Sequence, residues 1–462
     1  MSAAMERAVH HFQERFTGDV IAPPDSGYDD ARQLFNGMID RKPALFAQCR
    51  SVADVRSALA FGQERGMDIT VRGGGHGVAG RALVDGGLVI DLRHMNTVTV
   101  DPDARTATIA GGATMGNLDR ATEPFGLAAC GGRVSTTGVG GYLLGGGDGW
   151  MARKFGLACD NLVSAEIVTA SGEVVRASET ENSELFWALH GGGGNFGVAT
   201  AFTVRLHDLS TVTAALLFWP HERGEEVVRT YRDFMEAAPD DVGGAVLYMT
   251  GPDEEFVPDV LKGRLCCAIL LICPGEEDVG RKALAPMLSL GHLGEMVVAV
   301  PYAELQCMLD DPPGLRNYWS VEYLSSLPDA AVAAFCKAAE SMIVPSATQH
   351  PVFPQGGAIA RGPAEFPIPW RHAPWAVHPF GLWESPADDA RGIAWARGVR
   401  QVMKPWASGD VYLNFIGGDE GADRVIAGWG EENYSRLVKV KRQFDPDNVF
   451  RHNHNIDPDW TG

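Results

Sequence analysis

VRGGGHGVAGRALVDGGLVIDL, residues 71–92, places one histidine inside a run of glycines between two strand-like segments. DITVR at 68–72 leads into the run and LVIDL at 88–92 leads out of it. Glycine lets a chain turn with positive φ and lets main-chain N–H groups approach an anion closely. In RGGGHG three glycines leave no side chain flanking His76 on its N-terminal side, so its imidazole faces whatever the loop wraps. A neutral imidazole is a competent nucleophile. A single histidine is more often an ordinary surface or core residue; the loop is what singles this one out.

Working outward, glycines bunch again at AGG (110–112), GGRVSTTGVGGYLLGGGDG (131–149) and GGGGNFG (191–197), and the chain has 55 in all. Turns alone seldom need triple glycines, so the clusters read as a cradle for a large ligand. Gly192, Gly194 and Gly197 formally satisfy GxGxxG. A Rossmann site needs a strand before that motif and a helix after it. Here a helical segment, Ser183–His190, comes first and the alternating strand VATAFTVRL (198–206) follows. No GxxxxGK[ST] is present either. These patterns predict a sheet-based cradle of another type.

After residue 200 the glycine density falls. Glu225–Ala237, Glu276–Leu288, Asp329–Met342 and Asp388–Val402 carry helical periodicity, and VGGAVLYMT, GRLCCAILLIC, QHPVFPQGGAIA and WAVHPFGLW read as strands between them. The tail adds a strand, VYLNFI (411–416), and a helix, Asn433–Phe444. The fold class expected is α+β, with a mostly antiparallel central sheet. Domains are expected at 1–208, 209–410 and 411–462. The net charge is −20, which disfavours nucleic acid and anionic membranes. No signal peptide or membrane-spanning run is evident, and the eight cysteines form no CxxC pair. The expectation is therefore a cytoplasmic protein without structural zinc or disulfides.

The segments VRGGGHGVAGRALVDGGLVIDL, GLAACGGRVSTTGVGGYLLGGGDGWMARKFGLACDNLVSAEIVTASGEVV, FWALHGGGGNFGVATAFTVRL and FDPDNVFRHNHNI resemble the berberine bridge enzyme-like FAD-linked oxidases. These have a flavin domain of the p-cresol methylhydroxylase and vanillyl-alcohol oxidase type. The resemblance runs from about Phe16 to Pro458. It implies FAD bonded to His76 through the flavin 8α-methyl carbon, O2 as electron acceptor and a small-molecule substrate. A second link, from a cysteine, occurs in some members; here that position is Val134, so a single linkage is expected. Further cofactor contacts implied are Arg72, Gly73, Gly74, Gly75, Gly77, Gly132, Thr136, Thr137, Gly138, Gly141, Gly146, Asn161, Gly197, Val198, Tyr412, Asn414, Asn453 and Asn455. The tail closes over the cofactor, and a central domain covers the isoalloxazine.

Tyr412 matches the tyrosine of the family's Y-x-N motif. It could relay a proton, orient a substrate hydroxyl or simply bond the flavin rim. Relatives with a catalytic carboxylate carry a glutamate on the strand leading into a GG pair. The matching stretch here, QHPVFPQGGAIAR, has no Asp or Glu. Tyr248, His350, Gln355 and His378 are substitutes for that base, or else pocket walls. Phe353, Trp375 and Phe380 are expected to line an apolar cavity, or to be core. The expected substrate is a bulky, partly aromatic metabolite. Oxidation of a sugar or alcohol, flavin-dependent oxygenation or cyclisation, a flavin carrier without turnover, and a nicotinamide dehydrogenase are the alternatives.

Overall fold

The computed structural model describes residues 3–308 and 310–461. Its first 208 residues build two sheets. Asp19–Ile21, Leu45–Gln48, Leu88–Asp91 and Ile69–Arg72 lie side by side in that order, and the last three are mutually parallel. The second sheet has five strands in the order Val98–Asp101, Thr106–Ala110, Val198–Arg205, Leu162–Val168 and Val174–Ser178, all antiparallel. The last two form the hairpin that the turn at Ser171–Gly172 predicts.

The central sheet has seven strands. Their order is Gly294–Pro301, Thr211–Pro220, Leu265–Pro274, Gly243–Thr250, His350–Pro354, Trp375–Val377 and Glu322–Leu324. Every neighbouring pair is antiparallel. Helices Gly224–Ala237, Asp329–Ala339 and Asp389–Met403 pack on one face through Val227, Val332, Phe335 and Val399. The other face turns toward the glycine-rich part through Leu216, Leu247 and Leu270. With both faces covered, the strands are apolar throughout, as in LCCAILLIC, rather than alternating.

Four local expectations are overturned, the first being QHPVFPQGGAIA, a strand only over His350–Pro354 and then a helix over Gly357–Arg361. VYLNFI is not a strand; Leu413–Phe415 is a single 3-10 turn. Glu276–Leu288 is two helices, Glu277–Ala283 and Ala285–Leu288, because Pro286 cannot continue the first one's hydrogen bonding. WAVHPFGLW breaks into Trp375–Val377 and Phe380–Trp383, with Pro379 unable to donate to a ladder.

Two polar anchors bring the tail back to the first sheets. Lys441, fully buried on helix Glu431–Phe444, donates to Asp445 (2.7 Å), Asn195 O (2.8 Å) and Phe450 O (3.1 Å). It thereby ties residues 445–450 to the loop at 191–197. Glu322 and Glu420 are bridged by Arg400 and Arg424, which fastens the tail to the central sheet. Among the described residues no helix is long and apolar enough to cross a membrane.

Candidate active site

Between the glycine loops and the open face of the central sheet lies a cavity of ≈ 590 Å³. Its floor is backbone. Gly74 and Gly138 meet so closely that a Cβ on Gly74 would lie 2.3 Å from Gly138 N. Gly75 takes φ +73°, the left-handed region that glycine alone enters freely. Among the described residues, the backbone N–H groups of residues 73–77 have no protein partner. Buried main-chain donors are almost always paired, so a row of unpaired ones marks a place for acceptors from a ligand.

His76 sits on this loop with its ring stacked on Phe35, centroids 4.0 Å apart and planes 22° off parallel. Its Nε2 lies 2.7 Å from Thr136 Oγ1. Burial lowers its pKa to about 4, so the imidazole is neutral at physiological pH. If Nε2 carries the proton donated to Thr136, the lone pair is on Nδ1.

On the opposite wall, His378 follows strand Trp375–Val377. Its Nδ1–H donates to Ser320 O (2.7 Å) and its ring stacks on Phe415 at 4.1 Å. Burial lowers its pKa to about 3, and Nε2 has no protein partner among the described residues. Tyr412 Oη accepts from Gly147 N–H (3.1 Å) and Asn414 Nδ2 (3.0 Å). Burial pushes its pKa upward all the same, so the phenol keeps its proton and has a donor to offer.

The structure brings many of the expected residues to this cavity. His76, Gly73, Gly74, Gly75, Gly77, Gly132, Val134, Thr137, Gly138, Gly141, Gly197, Tyr412, Asn414, Asn453, Phe353, His378 and Phe380 all line it. Asn453 Oδ1 and His454 Nδ1 are buried there without partners. Unpaired N–H groups, orphaned polar atoms and a floor too tight for side chains together fit a large cofactor with an anionic centre, as FAD is.

Other expected residues lie elsewhere. Arg72 turns behind the loop and bonds Ala31 O and Gln33 O. Thr136 faces His76 rather than the cavity. Gly146 packs on Trp370. Asn161 donates to Phe155 O and Leu157 O and pairs with His207, so it serves the strand entry. Val198 is buried in the core between the first two sheets. Asn455 lies beyond the point where the tail leaves the cavity and the Ile456 N–H turns to Asn195.

Strand parity decides the rest. Leu247 and Met249 face the cavity, so Tyr248 between them faces the helices and lies against Phe335. Pro351 and Phe353 face the cavity, so His350 does not; it stacks on Phe335 at 4.1 Å. Trp375 likewise joins the helix-side core near Tyr231. Gln355 is just outside the cavity, donating to Asp148 (3.3 Å). Tyr248, His350, Trp375 and Gln355 therefore do not take the catalytic or wall positions expected of them.

Sequence reasoning missed Arg81, Arg133, Asp148, Trp150 and Trp319, which all line the cavity. One signal was available for Asp148: a carboxylate inside GGGDG interrupts an otherwise side-chain-free run.

Residues 43–178 match the model of the FAD binding domain family and residues 411–457 that of the berberine and berberine like family. The (R)-6-hydroxynicotine oxidase of Paenarthrobacter nicotinovorans is 32% identical over 96% of this chain and 97% of its own length. An uncharacterised FAD-linked oxidoreductase of Bacillus subtilis, YvdP, is 30% identical over 96% of this chain and 99% of its own. The crystal structure of 6-hydroxy-D-nicotine oxidase from Arthrobacter nicotinovorans superposes with a TM-score of 0.85 at 29% identity, covering 96% of this chain and 98% of that one. On the cradle, the tail and these likenesses, the chain belongs to the berberine bridge enzyme-like FAD-linked oxidoreductases.

Proposed function

We propose that this enzyme holds FAD through a covalent bond to His76, oxidises a bulky, largely apolar small molecule, and passes the electrons to O2. The observation that carries the reading is the His76 imidazole, neutral and held between Phe35 and Thr136 on a loop of unpaired amides. FAD, when bound, would supply the hydride acceptor, and O2 would take the two electrons from it to give hydrogen peroxide. The amides of residues 73–77 and the guanidinium of Arg81, which no carboxylate pairs among the described residues, offer donors to its phosphates. The domain division at 208 and 410 and a cytoplasmic location belong to the same reading.

The substrate sits against the sheet, among Leu216, Leu247, Leu270 and Phe353. That wall excludes water and suits an aromatic or polyketide-like body; the named substrate of the Paenarthrobacter relative, 6-hydroxynicotine, is an aromatic of this size class. His378 Nε2 accepts a hydrogen bond from the O–H or N–H on the carbon to be oxidised. Its low pKa leaves Nε2 unprotonated at rest, with the lone pair free to orient that group and take its proton transiently. Tyr412 donates to an acceptor on the reacting face.

Intact mass under denaturing conditions tests the bond. Wild type gains the mass of one FAD and His76→Ala does not; covalent flavin retained in that variant overturns the assignment. In the second arm, His378→Gln keeps the bound-flavin spectrum and loses about 10²–10⁴-fold in kcat, the usual range for a positioned proton acceptor. Unchanged turnover removes His378 from the reaction.

A further inference from the structure

Arg133 and Asp148 form an ion pair beside the apolar side chains of the sheet wall. Arg133 Nη2 donates to Asp148 Oδ2 (2.9 Å) and Nη1 to the Asp148 carbonyl (3.1 Å). Gln355 Nε2 donates to the same Oδ2 (3.3 Å). Asp148 Oδ1 is left with no protein partner among the described residues. The guanidinium lies over Phe353, 4.1 Å from the ring centroid, and 5.1 Å from that of Trp150. Arg133, Asp148, Trp150 and Phe353 line the cavity, and Gln355 stands just behind them.

A structural role explains this arrangement poorly. Ion pairs taken out of water gain little over an apolar replacement, because desolvation offsets their attraction. Here the pair is also left incomplete: Arg133 Nε is buried without a partner, and each Nη has a second N–H to give. The pair faces the space in which the substrate is placed above, and the Arg133 charge reaches both His378 and Tyr412.

We propose that Arg133 and Asp148 are the specificity-determining residues of this enzyme and bind a neutral substrate edge that carries a hydrogen-bond donor beside an acceptor, as in a lactam or a phenol next to a carbonyl. The donor goes to Asp148 Oδ1 and the acceptor to a free Nη–H of Arg133. The Phe353 ring under the guanidinium gives that edge an apolar surface to lie against. The pair has no net charge, so an anion meets the carboxylate and a cation meets the guanidinium within the same few ångströms. Neither is favoured over a neutral group that satisfies both. The inference rests on the cavity being the substrate site, as in the reading above.

The test uses bicyclic probes of one size with the holoenzyme: 2-quinolone, N-methyl-2-quinolone, quinoline, 1-naphthoate and 1-naphthylmethylammonium. Binding is read by quenching of tryptophan fluorescence, since Trp150 and Trp319 line the cavity. 2-Quinolone binds at least ten-fold more tightly than its N-methyl derivative and than either ion. Asp148→Asn, which replaces the free acceptor with a donor, erases the advantage over the N-methyl compound. Arg133→Lys keeps the charge without the fork and lowers 2-quinolone affinity about ten-fold; it reads the same preference if the asparagine variant does not fold. Tightest binding by either ion, or a preference untouched by both variants, overturns the proposal. This readout does not require flavin, so a failure here is separable from failure of the covalent bond, which mass alone reports.

Discussion

The two sides of the cavity are held together differently. On the floor, main chain touches main chain: Gly74 against Gly138, and Gly111 against Ala199 O. On the sheet side, main chain is remote and the surface is made by Leu216, Leu247, Leu270 and Phe353 side chains. A floor of this kind has no slack, because any added atom must push one backbone off another. A wall of side chains can be recut one residue at a time without moving the strands beneath. On the reading proposed above, cofactor binding belongs to the rigid backbone floor, and substrate choice to side chains, those of the sheet wall together with Arg133 and Asp148.

The strongest way to break that contrast is on the floor. In Gly74→Ala the new Cβ would lie 2.3 Å from Gly138 N and 2.6 Å from its Cα. The two loops must separate, which costs about 3 kcal/mol and spoils the row of amides. The expected result is protein without bound flavin and with a lowered unfolding midpoint. Gly77→Ala is the control: nothing lies within 4 Å of its Cβ, so stability should hold within about 0.5 kcal/mol. Equal loss in both variants would show that the close approach is not what matters.

Acid should weaken both sides together. Burial lowers His76 and His190 to about 4 and His350, His378 and His454 to about 3. In the unfolded chain these titrate near 6.5. Between about pH 4 and 6.5 the unfolded state therefore binds up to about five more protons, and stability rises with pH across that window. Asp119, raised to about 8, and Asp311, raised to about 7, each oppose this with one proton. A net of about three protons remains. The denaturant midpoint should fall steeply from pH 6.5 to 4.5, and the slope should shrink by about one proton in His350→Gln. A flat profile would mean that these imidazoles are solvated.

What could be read in advance divides along the same line. The His76 loop is legible because its signal is local: consecutive glycines, one imidazole, a strand on each side. The hairpin 162–178 and the strand at Val98–Asp101 were legible for the same reason. The central strands resisted because both of their faces are apolar, which silences the alternation that tells inside from outside. Tyr248 and His350 were accordingly assigned to the wrong face. Arg72 and Asn161 have the right chemistry for a ligand but spend it on carbonyls of their own chain, and residue type cannot reveal that choice. Asp148 and Arg133 lie 15 positions apart and meet only because the glycine run folds back.

The finest test of the contrast compares two neighbours on strand Leu265–Pro274. Ile269 is fully buried against the helices, whereas Leu270 faces the cavity. Ile269→Ala should cost about 2–5 kcal/mol, as truncations in close-packed cores do, with the flavin spectrum and substrate range unchanged. Leu270→Ala removes atoms that already border open space, so little new cavity forms and the loss should be only about 1 kcal/mol. Its signature is instead in recognition: KM falls for substrates bulkier than the natural one and rises for smaller ones, with kcat nearly constant. If Leu270→Ala destabilised as much as Ile269→Ala and left KM alone, the sheet's inner face would be core, and substrate choice would have to be sought elsewhere along the cavity.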